Sequence, residues 1–167
     1  GARASIREIL GDNLRYVSKR TDKAMSCAIE FTGQLKPFQE EAVQAIQKKK
    51  YGIVKAPPRS GKTVLAAAAI CRIGKKTIIF AAQREWLDGF YETFCGSETQ
   101  KALTDAKKTK IGFAKTWEEF NKYDVCMVTY QTFRSERGQK LLARVRDLFS
   151  VAVIDEVHMV GATNFAI

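Results

Sequence analysis

The residues with the clearest chemical meaning form one short loop, Ala56-Pro57-Pro58-Arg59-Ser60-Gly61-Lys62-Thr63. It lies between a β-branched run and an alanine-rich run, which is the setting of a strand-to-helix phosphate loop. The start of a helix presents unpaired amides and the positive end of its dipole, both of which attract phosphate. We therefore predict that residues 58–63 bind the phosphates of a nucleoside triphosphate, ATP with Mg²⁺.

Each residue type in this loop suits a separate task. Gly61 lets the backbone approach the ligand because it has no side chain. Lys62 supplies a positive charge to the outer phosphates, and the Thr63 hydroxyl coordinates Mg²⁺. Pro57 and Pro58 have no amide hydrogen, and they stiffen the entry to the loop. The alternative is an ordinary strand-to-helix turn that happens to carry Lys-Thr.

An acidic pair, Asp155 and Glu156, follows the apolar run at 151–154, and His158 comes shortly after it. Ligands of parallel sheets lie beyond the carboxyl ends of the strands, so the pair should share an edge with the phosphate loop. Asp155 would then hold Mg²⁺, and Glu156 would orient and polarise the attacking water. His158 would sense the phosphate. The alternatives are a helix cap for the acidic pair and an ordinary surface histidine.

Short apolar runs alternate with amphipathic stretches from residue 51 onward, which predicts an α/β fold with a mainly parallel central sheet and helices on both faces. The predicted strands are 52–55, 77–81, 110–113, 125–129 and 151–154. One predicted helix starts at Pro37 and ends in the lysines at 48–50, and a second covers 63–73 and ends at Gly74. We predict a surface loop over 96–108.

Residues 1–34 are less regular and are interpreted as an N-terminal extension. A short helix is expected at 5–10, and the runs 14–17 and 27–31 alternate like an antiparallel pair. Residues 35–167 then form a single ATP-binding lobe.

Composition limits the partners. The formal net charge of +10 favours a polyanion such as nucleic acid, although many of the basic residues would simply solvate helix faces. Neither a membrane span nor a signal peptide is predicted, because every apolar run is too short.

The cysteines stand far apart, which argues against a zinc site or a disulfide framework. The spacing favours reduced thiols in the cytoplasm or nucleus, or in the host cell of a phage. They are Cys27, Cys71, Cys95 and Cys126.

Taken in order, these segments resemble the first motor lobe of superfamily two helicases and translocases, with Asp-Glu-Val-His at 155–158 as the DExH form of the acidic motif. The segment Phe-Thr-Gly-Gln-Leu-Lys-Pro-Phe-Gln at 31–39 is similar to the one ahead of the phosphate loop in phage UvsW-like, XPB-like and type III restriction motors. The resemblance implies a RecA-like P-loop NTPase lobe in which Gln39 reads adenine.

Two further segments resemble parts of these motors that grip the nucleic-acid backbone. They are Phe-Ala-Ala-Gln-Arg-Glu-Trp-Leu at 80–87 and the "TYQ" segment Val-Thr-Tyr-Gln-Thr-Phe at 128–133. The first departs from the family pattern, which commonly has proline and threonine where this chain has Ala82 and Gln83. The resemblance implies contacts from Gln83, Arg84, Thr129 and Gln131, with DNA favoured over RNA. Ordinary strand-to-helix turns are the alternative for both. The nearest basic residues are Lys75, Lys76, Arg84, Arg134, Arg137 and Lys140.

The resemblance also implies a partner, the second RecA-like lobe of a longer parent chain, whose arginines complete the ATP site. We expect the parent to be an ATP-dependent helicase or ATPase, and the present chain to bind ATP but hydrolyse it very slowly. Two other hypotheses stay open. One is a non-catalytic module that senses nucleotide or binds nucleic acid, and the other is a small P-loop kinase, for which no lid segment is evident.

Overall fold

A four-stranded parallel sheet forms the centre of the computed structural model, which describes residues 25–49 and 52–155. The strands are β1 (Thr77–Ala81), β2 (Ile111–Phe113), β3 (Val125–Thr129) and β4 (Val151–Ile154). Their order across the sheet is β2-β3-β1-β4, and every neighbouring pair is parallel. The carboxyl ends of all four strands therefore lie along one edge.

Five helices surround this sheet in the described part of the chain. They are α1 (Pro37–Lys49), α2 (Lys62–Ile73), α3 (Arg84–Cys95), α4 (Trp117–Lys122) and α5 (Glu136–Val145). Two short 3₁₀ turns, Tyr130–Phe133 and Arg146–Leu148, flank α5. The helix predicted from Pro37 and the helix predicted over 63–73 are both present.

The strand residues explain why helices cover both faces. In β3, Val125 and Met127 join a core formed with α2 and α3, while Cys126 and Val128 join a second core formed with α4 and α5. A strand buried on both faces has to be apolar throughout, which is typical of parallel sheets. The α/β fold class with helices on both faces is confirmed. Helix α1 forms an outer layer, where Val43 packs against Leu65 and Ala68 of α2.

The connection after α2 sets the position of the phosphate loop. Gly74 ends the helix in the left-handed conformation, with φ 62°, and its amide donates to the Ile70 carbonyl. Only residues 74–76 separate α2 from β1, so the chain must reverse direction and α2 runs antiparallel to β1. The start of α2, at Lys62, therefore lies towards the carboxyl edge of the sheet.

One predicted strand is wrong. Residues 52–55 are irregular, and the side chains of Ile53 and Val54 are 80% and 42% exposed. Preference for a strand is realised only where a neighbouring strand supplies ladder partners and buried surface. This segment lies outside the described sheet and has neither.

The alternation predicted at 27–31 is present, but it pairs differently. Cys27 and Ile29 are buried, and the segment bridges antiparallel to the main body at Ser26 with Lys75 and at Phe31 with Thr104. The expected partner at 14–17 and the short helix at 5–10 lie outside the described residues. The loop predicted at 96–108 is largely exposed, apart from Thr104, which is anchored by its hydroxyl to the Phe94 carbonyl at 2.7 Å.

The four cysteines are free thiols, and burial dominates their chemistry. It raises the pKa of Cys27 to about 11 and that of Cys126 to about 12. Buried thiols of this kind stay protonated and unreactive near neutral pH. Among the described helices, none has both the length and the apolar character needed to cross a membrane.

Candidate functional site

The loop before α2 is curved by two residues with positive φ, Arg59 at 61° and Gly61 at 80°. The Ser60 amide closes a turn by donating to the Pro57 carbonyl at 3.3 Å. A positive φ is easy for glycine and costs free energy at arginine, so the loop holds a strained residue beside its glycine. Such residues are concentrated at ligand-binding sites.

Lys62 and Thr63 are the first two residues of α2. The Lys62 ammonium reaches back across the loop to the Ala56 carbonyl, at 3.5 Å. The N-cap is Gly61, which has no side chain to accept from the first helical amides. These amides lack intrahelical acceptors as well, so they can donate to a ligand.

Two further features of the loop fit a phosphate. The Ser60 hydroxyl oxygen is buried and has no hydrogen-bond partner among the described residues, a costly state that a ligand can relieve. A Cβ at Gly61 would lie 2.6 Å from Gln39 Nε2, so any larger residue there would have to displace that side chain. The residues present therefore suit a compact anion rich in acceptor oxygens.

Asp155 follows β4 at the same carboxyl edge. Its amide donates to the Phe80 carbonyl at 2.9 Å, and its own carbonyl accepts from the Tyr130 hydroxyl at 3.1 Å. The Asp155 amide is thus held by β1 and its carbonyl by Tyr130, the residue that follows β3. Glu156 and His158, the other two predicted members of the acidic motif, lie outside the described residues.

Tyr130 makes a contact that the sequence analysis did not predict, the hydrogen bond to the Asp155 carbonyl. Its ring is 6% exposed and stacks on Phe80 with 6.1 Å between ring centres. Burial, and after it the charge of Asp155, raises the pKa of Tyr130. The residue belongs to the quoted "TYQ" segment, which was the available signal, but nothing in the segment indicated that its hydroxyl bonds to the acidic strand end.

Gln39 lies against the phosphate loop. The side chain is 4% exposed, and its Nε2 donates to the Ser60 carbonyl at 3.0 Å. The segment at 31–39 and the loop, which the sequence analysis treated as separate motifs, are therefore in direct contact.

The residues expected to grip nucleic acid also come together. Ala81 and Thr129 are directly paired in the parallel register of β1 and β3, so Gln83 and Gln131, two residues beyond each strand, leave adjacent strand ends. Gln83 is the N-cap of α3 and makes no side-chain capping bond.

The Arg84 side chain packs over an aromatic ring at the same edge. The central carbon of its guanidinium lies 3.3 Å from the centre of the Phe113 ring at the end of β2. Its Nε lies 3.5 Å from an Asp88 carboxylate oxygen, and its side chain remains 52% exposed. A guanidinium over an aromatic face keeps its N–H donors in its own plane, where they can reach solvent or a phosphate.

The nearby basic residues divide into two kinds. Lys76 is 1% exposed, its ammonium donates to the Asn121 carbonyl at 3.0 Å, and burial lowers its pKa. A lysine buried in this way stabilises the fold and does not belong to a surface that binds nucleic acid. Arg134, Arg137 and Lys140 are exposed, and Lys140 pairs with Glu136 at 2.6 Å.

A groove of about 680 Å³ lies near the other end of α2. Its lining comes from residues 29–40 together with Cys71 and Arg72. Arg72 makes two 2.6 Å hydrogen bonds to Glu40 across it. The hydrogen bonds from Arg72 and then Gln44 lower the pKa of Glu40 to about 2.

Comparison with known proteins gives a family match and two similar relatives. Residues 32–166 match the model of the family described as "Type III restriction enzyme, res subunit".

Two archaeal proteins named "Putative DNA 3'-5' helicase Rad25" are similar. The one from Halobacterium salinarum is 27% identical over 135 residues, which is 81% of this chain and 21% of the relative. The one from Haloarcula marismortui is 30% identical over 131 residues, 76% of this chain and 19% of the relative. The chain thus spans about a fifth of the length of these curated relatives. The resemblance to the first lobe of superfamily two helicases is confirmed.

Proposed function

Because the chain belongs to the family of the type III restriction enzyme res subunit, we propose that it is the ATP-binding first motor lobe of an ATP-dependent helicase or translocase. Family membership makes it a helicase-type ATPase domain of RecA-like fold. The observation that carries the proposal is the three-residue link between α2 and β1, which supports a position of Lys62 towards the carboxyl ends of the strands, where β4 leads into Asp155. In this proposal residues 35–167 form the lobe, and residues 1–34 form an extension to it.

ATP would bind through the loop. The amides at the start of α2 would donate to phosphate oxygens, and the Lys62 ammonium, now 3.5 Å from the Ala56 carbonyl, would turn to the outer phosphates. Thr63 and Asp155 would hold Mg²⁺, which neutralises charge on the phosphates when bound. The unpartnered Ser60 hydroxyl and the strained Arg59 support a loop shaped for such a ligand.

Hydrolysis needs two further contributions. Glu156 would orient the attacking water, and His158 would respond to the phosphate, by their match to the acidic motif. A second RecA-like lobe would supply arginines, and an arginine of this kind is worth about 10³ to 10⁵ in rate. The lobe alone should therefore bind ATP and turn it over very slowly.

The nucleic-acid track would run along the ends of β1 and β3. Gln83, Arg84, Thr129 and Gln131 share that edge, and the stacked guanidinium of Arg84 supports a phosphate contact there. Contacts of this kind grip the backbone and leave base sequence unread. DNA is the proposed polymer, because both named relatives are called DNA helicases.

A nucleic-acid-stimulated ATPase assay tests the proposal on the longer protein that carries this lobe with its second lobe. Lys62→Ala should lower stimulated turnover by about a hundredfold or more, the usual cost of losing one group that stabilises charge in the transition state. Lys49→Ala provides the matched control, since Lys49 is an exposed lysine at the far end of α1 and its loss should leave turnover unchanged.

The outcomes separate the candidate functions. Equal turnover in wild type and Lys62→Ala would refute the motor assignment. Nucleotide binding that depends on Lys62, without any ATPase activity in the longer protein, would favour a non-catalytic nucleotide-sensing module.

A further inference from the structure

One side chain links two strand ends that are not neighbours in the sheet. Tyr130 follows β3 and Asp155 follows β4, and β1 lies between these two strands. Two strand spacings amount to roughly 9.5 Å, a distance that no backbone hydrogen bond can span. The Tyr130 hydroxyl crosses it and donates to the Asp155 carbonyl at 3.1 Å.

The strand in the middle supports this crossing. The Tyr130 ring stacks on the ring of Phe80, in β1, with an angle of 8° between the two planes. The Phe80 carbonyl in turn accepts from the Asp155 amide at 2.9 Å. The Tyr130 side chain is buried, and a close-packed interior leaves it little room to move independently of these partners. Tyr130, Phe80 and Asp155 therefore form a closed set of contacts across three strand ends.

At one end of this set lies the proposed nucleic-acid track. Thr129 and Gln131, its two residues at the end of β3, are the chain neighbours of Tyr130. The 3₁₀ turn Tyr130–Phe133 is closed by the Arg134 amide, which donates to the Gln131 carbonyl at 3.2 Å. Adjacent residues share rigid peptide units. A phosphate that shifts Thr129 or Gln131 therefore shifts Tyr130 as well.

At the other end lies the acidic motif. The Asp155 carbonyl is part of the peptide bond that leads into Glu156, and a peptide unit is planar. The Tyr130 hydroxyl thus holds the peptide between the residue proposed for Mg²⁺ and the residue proposed for the attacking water. Misplacement of a catalytic group by about 1 Å can cost about a hundredfold in rate, so the orientation of this peptide matters for turnover.

We propose that Tyr130 is a positioning residue that couples nucleic-acid binding at Thr129 and Gln131 to the acidic motif at Asp155. The inference rests on the proposed function, because it needs both ligand sites. Its consequence is reciprocal: bound DNA changes the affinity for nucleotide by a certain factor, and bound nucleotide changes the affinity for DNA by the same factor.

The test measures this coupling factor in the longer protein that carries the lobe. Anisotropy of a fluorescein-labelled single-stranded DNA oligonucleotide gives its Kd with and without a saturating, non-hydrolysable analogue of Mg·ATP. In the wild type the two Kd values should differ by about fivefold or more, and Tyr130→Phe should reduce that ratio by about fivefold, the effect of one hydrogen bond. A purely structural loss would weaken both states alike and leave the ratio unchanged.

Thr104→Val is the matched control. It also removes a hydroxyl that donates to a main-chain carbonyl, that of Phe94 at 2.7 Å. Phe94 lies near the far end of α3 from Arg84, about 15 Å along the helix axis. This variant should lose stability like Tyr130→Phe and keep the wild-type ratio.

Three outcomes would count against these assignments. An unchanged ratio in Tyr130→Phe, or an equal change in Thr104→Val, would overturn the coupling role. A wild-type protein that binds both ligands with no effect of one on the other would overturn it as well. Failure of the wild type to bind the nucleotide analogue or the DNA would instead refute the proposed function itself.

The wild-type chain provides a second test that needs no substitution. The ¹⁵N-labelled chain is titrated with the same oligonucleotide in the absence of nucleotide and followed by NMR. The amide of Asp155 should shift together with those of residues 129–131, whereas the amide of Gly74, at the other end of α2, should not. Shifts at residues 129–131 with no change at Asp155 would overturn the inference.

Discussion

Two glycine-to-alanine substitutions should have different effects. Gly61→Ala should weaken binding of Mg·ATP, whereas Gly89→Ala should raise the Tm. Gly61 has φ 80°, and an added Cβ would lie 2.6 Å from Gln39 Nε2. Gly89 lies within α3, is exposed, and an added Cβ would meet no atom within 4 Å. The same methyl group is therefore added once to a constrained loop and once to an open helix surface.

The magnitudes follow from these surroundings. A left-handed conformation costs a non-glycine residue about 1–2 kcal/mol, and displacing Gln39 from the loop costs about 1 kcal/mol more. A loss of about 2–3 kcal/mol in loop preorganisation corresponds to at least a tenfold drop in affinity for Mg·ATP. Alanine in place of a mid-helix glycine stabilises by about 0.5–1 kcal/mol, which raises the Tm of a chain of this size by about 1–4 °C.

Thermal unfolding and calorimetric titration with Mg·ATP check both variants. Gly61→Ala should bind at least tenfold more weakly, and Gly89→Ala should bind like wild type with a higher Tm. In the double variant Gln39→Ala/Gly61→Ala the clash is absent, so its loss should be smaller than the sum of the single losses. Wild-type affinity in Gly61→Ala, or strict additivity in the double variant, would refute this reasoning.

Three other predictions concern the contacts around the site. Tyr130→Phe keeps the ring but removes the hydrogen bond to the Asp155 carbonyl. The free energy of unfolding should therefore fall by about 1 kcal/mol, and ATP turnover by the longer protein should fall severalfold. Unchanged values in both assays would contradict this prediction. The pKa of Glu40 in the folded chain, about 2, lies below its ordinary value of 4.5. The stabilisation that the Glu40–Arg72 ion pair provides is therefore present above pH 4.5 and is lost as the pH falls towards 2. The difference in Tm between the wild type and Glu40→Gln should shrink over that range. A constant difference would show that the ion pair is not its cause. Arg84→Ala should reduce the salt slope for a single-stranded DNA oligonucleotide by about 0.7, and an unchanged slope would remove Arg84 from the track.

The strands were predictable where an apolar run is buried by the strands and helices that pack against it. The predicted bounds 77–81, 125–129 and 151–154 match β1, β3 and β4, because β-branched runs flanked by turn residues carry the signal. The run at 52–55 also carries two β-branched residues, Ile53 and Val54, and still forms no strand. Composition reports a preference, whereas pairing depends on which edge of the sheet is within reach.

The site was predictable as motifs but not as contacts. Residue types and spacing placed Lys62 and Thr63 at the start of a helix and Asp155 at the end of a strand, and the structure has those helix and strand bounds. The Gln39 contact with Ser60 spans 21 residues and the Tyr130 contact with Asp155 spans 25. Such pairings depend on tertiary packing, for which a single sequence has no periodic or local signal.

The central claim is that the loop at 59–63 and Asp155 together form a Mg·ATP site. Titration of the ¹⁵N-labelled chain with Mg·ATP, followed amide by amide by NMR, tests it directly. The largest and saturable shifts should fall on residues 59–63 and on Asp155, and Lys62→Ala should abolish them. Shifts centred on the groove around Phe31 and Arg72, with the loop unaffected, would contradict the account.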